Sequence, residues 1–158
     1  MASPSMSSSL STRAVRLNIG FAHFIDRFQP LFALAIRLYV ARVFLLSGLT
    51  KIQDWNITLA LFETEYRVPV LSPSVAALLG TAAELGLPML LILGLGTRFA
   101  ALALFAFNIV AVISYPDLSD AGLKDHMLWG ALLLVAFFHG PGKWSLDHLL
   151  GRRFGAHY

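Results

Sequence analysis

The 158-residue chain contains no cysteine, and it contains few charged residues. The absence of cysteine excludes a thiol–disulfide relay, a cysteine-ligated iron–sulfur cluster and the covalent attachment of a c-type haem. Asp, Glu, Lys and Arg together make up 13% of the residues, which is about half of the fraction usual in soluble domains. With 57% hydrophobic residues and a mean hydropathy of +0.70, this scarcity predicts a membrane protein with most of its length in spans.

Other site classes are also missing from the sequence. The net charge of +3 is small and scattered, so no nucleic-acid partner is expected. No glycine-rich phosphate loop or nucleophile elbow is present. His126 and His139 stand 13 residues apart, about 20 Å along one helix, so they cannot bind one ion. We therefore expect no metal site and no intrinsic cofactor.

Four apolar stretches are long enough to cross a bilayer, and they occupy residues 31–49, 74–93, 98–115 and 123–139. Pro30, Pro116 and the run Gly140-Pro-Gly142 mark their ends. The sequence predicts an all-α integral membrane four-helix bundle over residues 31–139. Residues 140–158 form a predicted cytoplasmic tail, with a short helix over 146–154 that Ser145 caps.

Residues 1–30 precede the bundle and have a different composition. The serine-rich start, residues 1–9, is expected to be disordered. From Leu10 onward, apolar residues recur every three or four positions, with arginines on another stripe. This pattern is typical of an amphipathic helix in the membrane interface, and the alternative is an ordinary helix packed on another subunit. Expected partners are therefore membrane lipids, and either a protein partner or a second copy of the chain.

Basic residues outside the spans indicate the orientation. Seven lie on the side of the termini and three on the other side. The seven are Arg13, Arg16, Arg27, Arg98, Lys143, Arg152 and Arg153, and the three are Lys51, Arg67 and Lys124. Because cytoplasmic loops carry the excess of Lys and Arg, both termini are predicted to be cytoplasmic. On the far side, a short helix begun by Asp54 or Asn56 is expected to cover the bundle as a lid.

Glu84 lies in the middle of the second span. A carboxylate at membrane depth costs about 2.5–3.5 kcal/mol and calls for a partner. Depth favours Arg42, since both residues are near mid-span, whereas Arg37 is near the cytoplasmic end and is expected to snorkel. Lys51 falls on the same helix face as Arg37. The centre is interpreted either as a ligand site or as a structural ion pair.

The surroundings of Glu84 favour close approach of another group. Pro88 has no backbone donor, so the carbonyl of Glu84 loses its helical hydrogen bond. Gly80 and Gly86 have no side chain, and they are expected to admit a neighbouring helix or a ligand.

Three further polar or aromatic residues are candidates. Asn108 in the third span can hydrogen-bond across the bundle, either as interhelical glue or as part of a site. His126 and Trp129 stand one turn apart near the outer end, with Lys51 at a similar depth. They are interpreted either as the head-group end of a quinone site or as an ordinary aromatic belt.

Several motifs together resemble the DoxX family of small bacterial membrane proteins. They are Arg37, the run Phe44-Leu-Leu-Ser-Gly48-Leu-Thr-Lys51, Ala83-Glu84-Leu-Gly86, Gly94-Leu-Gly96-Thr-Arg98 and Gly140-Pro-Gly-x-x-Ser145-Leu-Asp147. The resemblance covers residues 31–150 and implies a four-helix protein of the bacterial inner membrane. Within it, Arg37, Lys51, Glu84 and Asp147 carry the family pattern.

The resemblance implies a function only in outline, because some relatives are subunits of a thiosulfate:quinone oxidoreductase and others are membrane partners of soluble redox or detoxification proteins. Our leading hypothesis is a small subunit of such a system, with a quinone-type ligand bound around Glu84 and electrons supplied by a partner. A non-enzymatic membrane anchor that recruits a partner is the alternative. A small transporter is a third hypothesis, which the absence of an inverted repeat disfavours.

Overall fold

The computed structural model describes residues 6–155, with side chains from Val15 onward. The described chain is all-helical and contains seven helices. They are α1 (Met6–Asp26), α2 (Gln29–Gln53), α3 (Trp55–Thr64), α4 (Pro73–Leu93), α5 (Thr97–Ser114), α6 (Asp120–His139) and α7 (Leu146–Phe154). Four of these segments are long and apolar enough to cross a membrane, the first of them including α2, and the chain is a multi-pass membrane protein.

The four spans, α2, α4, α5 and α6, pack around one core. Helix α4 contacts α2 and α5, while α6 contacts α5 and α2, which closes the bundle. Val40, Ala41, Leu91, Leu104 and Leu133 are at most 1% exposed at its centre. Lipid is as apolar as leucine, so close packing rather than escape from water holds these helices together.

The bundle has two distinct ends. We name the end that carries the start of α2, the α4–α5 turn and α7 the termini end. We name the opposite end, covered by α3, the lid end. The expected lid helix is confirmed, and Asp54 caps it by accepting a hydrogen bond from the Ile57 amide at 3.0 Å. Thr58 Oγ1 then donates to the Lys51 carbonyl at 2.8 Å, which joins the lid to the last turn of α2.

Beneath the lid, an aromatic ring of α3 packs on small side chains of α4. Phe62 of α3 is 8% exposed and packs on Ala76 and Ala77 of α4. Tyr66 stacks beside Phe62 at a centroid distance of 4.8 Å and beside Tyr115 at 5.3 Å. The lid is therefore fixed to α4 and to the end of α5.

At the termini end, helix α1 lies outside the four-helix bundle. Helix α1 begins at Met6, within the start of the chain that was expected to be disordered, and residues 1–5 lie outside the described residues. Every described side chain of α1, from Val15 to Asp26, is exposed. A turn at Arg27 and Phe28 separates α1 from α2, and Pro30 stands in the first turn of α2, where its missing N–H costs nothing.

Candidate functional site

Glu84 pairs with Lys51, not with Arg42. Lys51 Nζ lies 2.7 Å from Glu84 Oε1 and 2.5 Å from Oε2, and the expected partner Arg42 is exposed. Arg42 is wrong as the partner because it stands about 140° around α2 from the buried Arg37, and this angle turns it out of the bundle. Lys51 lies near the lid end of α2, but helical side chains lean toward the N-terminus, and the long lysine reaches back along α2 to Glu84.

Ser47 completes the polar centre. Its hydroxyl donates to Glu84 Oε1 at 3.0 Å and accepts from Lys51 Nζ at 3.0 Å. Glu84 is 5% exposed. The free-energy cost of burying its carboxylate is offset by the Lys51 ammonium and the Ser47 hydroxyl. Sequence reasoning missed Ser47, although its position four residues before Lys51 places the two on one helix face.

A cavity of about 500 Å³ opens beside this centre under the lid. Its walls are mostly apolar and aromatic, and they bring together Lys51, Glu84, His126 and Trp129 of the predicted site. Arg37, Arg42 and Asn108 are not among its lining residues. Known small-molecule sites have this size and this mixture of an apolar wall with few polar groups.

The aromatic wall is ordered by edge-to-face contacts. Trp129 lies 6.0 Å from Phe44 and 4.8 Å from His126 between ring centroids, and Phe44 lies 6.2 Å from Phe107. Such contacts add about 0.5–1.5 kcal/mol each beyond burial. They therefore order the aromatic side chains that line the same cavity as the ion pair.

Asn108 makes two hydrogen bonds to His126, one to its backbone carbonyl and one to its ring. The Asn108 amide donates through Nδ2 to the His126 carbonyl at 2.9 Å, and its Oδ1 lies 2.7 Å from His126 Nδ1. Because Oδ1 can only accept, Nδ1 must carry the proton. In a neutral ring Nε2 is then an unprotonated acceptor. Asn108 is thus a positioning residue for His126.

Ser114 has a hydroxyl group that makes no hydrogen bond with any described residue. The side chain is 2% exposed and lines the cavity, and Oγ has no hydrogen-bond partner among the described residues. A buried hydroxyl without a partner costs about 1–3 kcal/mol. The sequence carries no local signal for it, because a serine at the end of an apolar helix is common.

Tyr66 also lines the cavity from the connection between α3 and α4. Burial raises the pKa of its phenol, and the negative charge of Glu84 raises it further. The hydroxyl is consequently neutral over the physiological range and can act as a hydrogen-bond donor. Sequence reasoning placed Tyr66 at the end of the lid helix but gave it no role in the site.

Arg37 belongs to a second polar cluster at the termini end. The expectation that it snorkels is wrong: it is 1% exposed, and its guanidinium donates to the Leu91 carbonyl at 3.3 Å and to the Trp144 carbonyl at 2.5 Å. The Leu91 carbonyl also accepts from the Gly94 amide at 3.2 Å in the cap of α4, and it lies at the end of α4 that carries the negative pole of the helix dipole. Arg37 therefore joins α2 to the end of α4 and to the segment before α7.

Asp147 is the acidic member of the same cluster. Its carboxylate accepts from the Gly96 amide at 2.8 Å and from the Thr97 amide at 2.9 Å, which caps α5 from a distance. Gly94 ends α4 with φ of 66°, and an added Cβ would collide with Arg37 and Ser145. The family-pattern residues thus divide into a structural cluster at this end and the Lys51–Glu84 centre under the lid.

Within the described residues, no group of three His, Asp or Glu side chains could hold a metal ion. The cavity can instead offer a buried ion pair, an unpartnered hydroxyl and an imidazole acceptor to an uncharged polar ligand.

No solved structure matches the chain.

Comparison with known proteins identifies the family. The family model described as DoxX matches residues 32–116, more than half of the chain. A protein of Haemophilus influenzae described as an uncharacterized protein is 32% identical over 126 residues, which cover 74% of this chain and 82% of the relative. The match to the family model includes Lys51 and Glu84, and the chain belongs to the DoxX family.

Proposed function

We propose that this protein is a small subunit of a redox or detoxification system in the bacterial inner membrane, with both termini cytoplasmic, and that the cavity under the lid binds a quinone-type head group. The unpartnered Ser114 hydroxyl carries the proposal, because a buried donor inside an apolar cavity is satisfied by a ligand with a carbonyl or hydroxyl oxygen.

The chemistry of the lining fits a quinone. A flat ring matches the aromatic wall of Phe44 and Trp129. A quinone oxygen accepts from Ser114 Oγ, and a quinol hydroxyl donates to His126 Nε2. The three protons of Lys51 Nζ are directed at Ser47 and the two Glu84 oxygens. The ion pair has no net charge, and its role is to exchange protons with the adjacent quinone ring.

Reduction of a quinone to a quinol takes up two electrons and two protons. The electrons come from a protein partner. The Lys51 ammonium gives one proton to a ring oxygen, and His126 Nε2 takes a second proton from the solvent and passes it to the other ring oxygen. Binding of the head group and transfer of these two protons are the steps that this chain's own residues perform.

The test uses Trp129 as a reporter. The chain has three tryptophans, so replacing Trp55 and Trp144 by Phe leaves Trp129, in the cavity wall, as the only one. Titration with a short-tailed benzoquinone is expected to quench its fluorescence saturably. Loss of one hydrogen bond in Ser114→Ala should weaken binding roughly threefold to tenfold.

Thr81→Ala is the matched control. Thr81 is also buried with an unpartnered hydroxyl, but it does not line the cavity. Its affinity for the benzoquinone is expected to match that of the parent. Unsaturable quenching, or equal affinities in the Ser114 and Thr81 variants, would remove the quinone site.

A second candidate function is a membrane anchor that recruits a protein partner. The observation that favours it is α1, whose exposed face includes Leu17, Phe21 and Phe24 and is covered by no element among the described residues. Deleting residues 1–28 separates the two functions. An anchor loses its co-purifying partner, whereas the cavity keeps its quinone affinity.

A further inference from the structure

A second cavity, of about 300 Å³, lies at the termini end, far from the lid. One part of its lining is apolar and includes Pro30, Phe32, Ile36 and Val135. The other part is basic or titratable and consists of Arg98, Lys143, His139 and His148. No Asp or Glu is among the lining residues. We name this cavity the basic pocket.

The two permanent cations of the basic pocket are not neutralised by the protein. Neither Arg98 nor Lys143 makes a salt bridge in the part of the chain that the structure describes. Asp147 stands next to His148 in the sequence, but its two oxygens accept from the Gly96 and Thr97 amides. The positive charge of the pocket is therefore available to an anion.

The glycine at position 140 leaves room for the Arg98 guanidinium. Gly140 has φ of 79°, and a Cβ added there would lie 3.3 Å from both Nε and Nη2 of Arg98. That distance is tighter than an ordinary contact, so glycine leaves the room that the guanidinium occupies at the end of α6. The last carbonyls of α6 carry partial negative charge, which favours a cation at this position.

We propose that the basic pocket binds the phosphate head group of an anionic phospholipid. The pocket joins the apolar surface of α2 and α6 to cationic groups at a helix end, which matches a phosphate attached to acyl chains. Phe32, 63% exposed, lies at the apolar side as a contact for those chains. A free phosphate has the charge but gains nothing from the apolar wall.

The experiment measures lipid affinity of the full-length protein by native mass spectrometry. The probes are phosphatidylglycerol and phosphatidylcholine with the same acyl chains. The pocket variant carries Arg98→Gln and Lys143→Gln, and the control carries Arg42→Gln and Lys124→Gln, two exposed cations outside the pocket. Both variants lose the same net charge.

We expect phosphatidylglycerol to bind the parent more tightly than phosphatidylcholine does. Its affinity should fall roughly 30-fold in the pocket variant, since each cation near the surface contributes about a factor of five, and should fall less than threefold in the control. If the double variant does not fold, Lys143→Gln alone, at an exposed position, should still lower the affinity about fivefold.

Three outcomes overturn the proposal. They are equal losses in the pocket and control variants, no preference for phosphatidylglycerol over phosphatidylcholine, and full displacement of the lipid by millimolar inorganic phosphate. The last outcome assigns the pocket to a free anion. None of these measurements depends on the quinone cavity, so the two proposals fail independently.

Discussion

Glu84 and Lys51 form an ion pair in which each charge compensates the other. The carboxylate is buried and the ammonium side chain is 17% exposed, so neither is fully solvated. The desolvation of such a pair is offset by mutual attraction and by the hydrogen bonds of Ser47. Removing either partner leaves the other charge uncompensated at membrane depth.

Stability measurements on this pair should therefore be strongly non-additive. Glu84→Gln and Lys51→Met are each expected to lower the free energy of unfolding in detergent by about 3 kcal/mol. The double variant should lose much less than the sum, because no unpaired charge remains. Additive losses in denaturant unfolding would contradict the pairing.

Tyr66 predicts a loss of stability at alkaline pH. Burial and then the charge of Glu84 raise the pKa of its phenol in the folded protein above the ordinary value of 10.0. The folded state thus binds the proton more tightly than the unfolded state, so this contribution is complete below pH 10 and is lost as the pH rises through the folded pKa.

Tyr66→Phe should flatten the fall of the melting temperature that the parent shows above pH 10. Ser72→Ala, an exposed change in the neighbouring connection, should leave the slope as it is. The same alkaline slope in the Tyr66 variant would show that another group governs it. Absorbance of the tyrosinate at alkaline pH checks the assignment directly.

At the scale of elements, α2 and α4 approach closely at Gly48. A Cβ added there would lie 2.9 Å from Leu85 Cδ2 and 3.0 Å from Glu84 Cβ. The expectation that Gly86 admits a neighbour is wrong, because it is exposed and a Cβ there would meet nothing within 4 Å. Gly80 would make only ordinary contacts, with Phe62 at 3.6 Å. The close contact thus depends on a glycine of the first span.

Gly48→Ala and Gly86→Ala form a matched pair of substitutions. Overpacking at Gly48 is expected to lower the free energy of unfolding by about 1–3 kcal/mol and to disturb the adjacent Glu84. Gly86→Ala should be neutral, or stabilising by up to about 1 kcal/mol through helix propensity. Thermal unfolding of both variants checks this, and a reversed order would place the helix contact elsewhere.

At the scale of the whole molecule, the charges divide the bundle into two ends with different chemistry. The lid end holds the ion pair and the larger cavity, and the termini end holds the Arg37–Asp147 cluster and the basic pocket. The excess of Lys and Arg at the termini end supports the proposed cytoplasmic orientation.

Reporter fusions test that orientation. A green fluorescent protein fused after Tyr158 should be fluorescent, and alkaline phosphatase at the same position should be inactive, since it requires the periplasm. A phosphatase inserted after Val70, in the exposed α3–α4 connection, should be active. The opposite pattern at either position would reverse the topology.

The sequence alone determined the number of spans, their approximate limits and the cap of α7, and it limited the cap of α3 to Asp54 or Asn56. Hydropathy, proline, glycine and capping residues act over a few neighbouring positions, so their effect is visible along the chain. The helix over Leu146–Phe154 was accessible in this way. Glu84 was also identifiable, because its cost depends only on its depth.

Only the tertiary structure decided which cation neutralises Glu84 and what surrounds the pair. Three basic residues on α2 were candidates, and the choice depends on how α2 is rotated against α4 and on how far a side chain reaches. Ser114 and Tyr66 enter the cavity from segments distant in the chain. Their positions follow from helix packing, which sums many weak contacts between distant residues and leaves no periodic signal in the sequence.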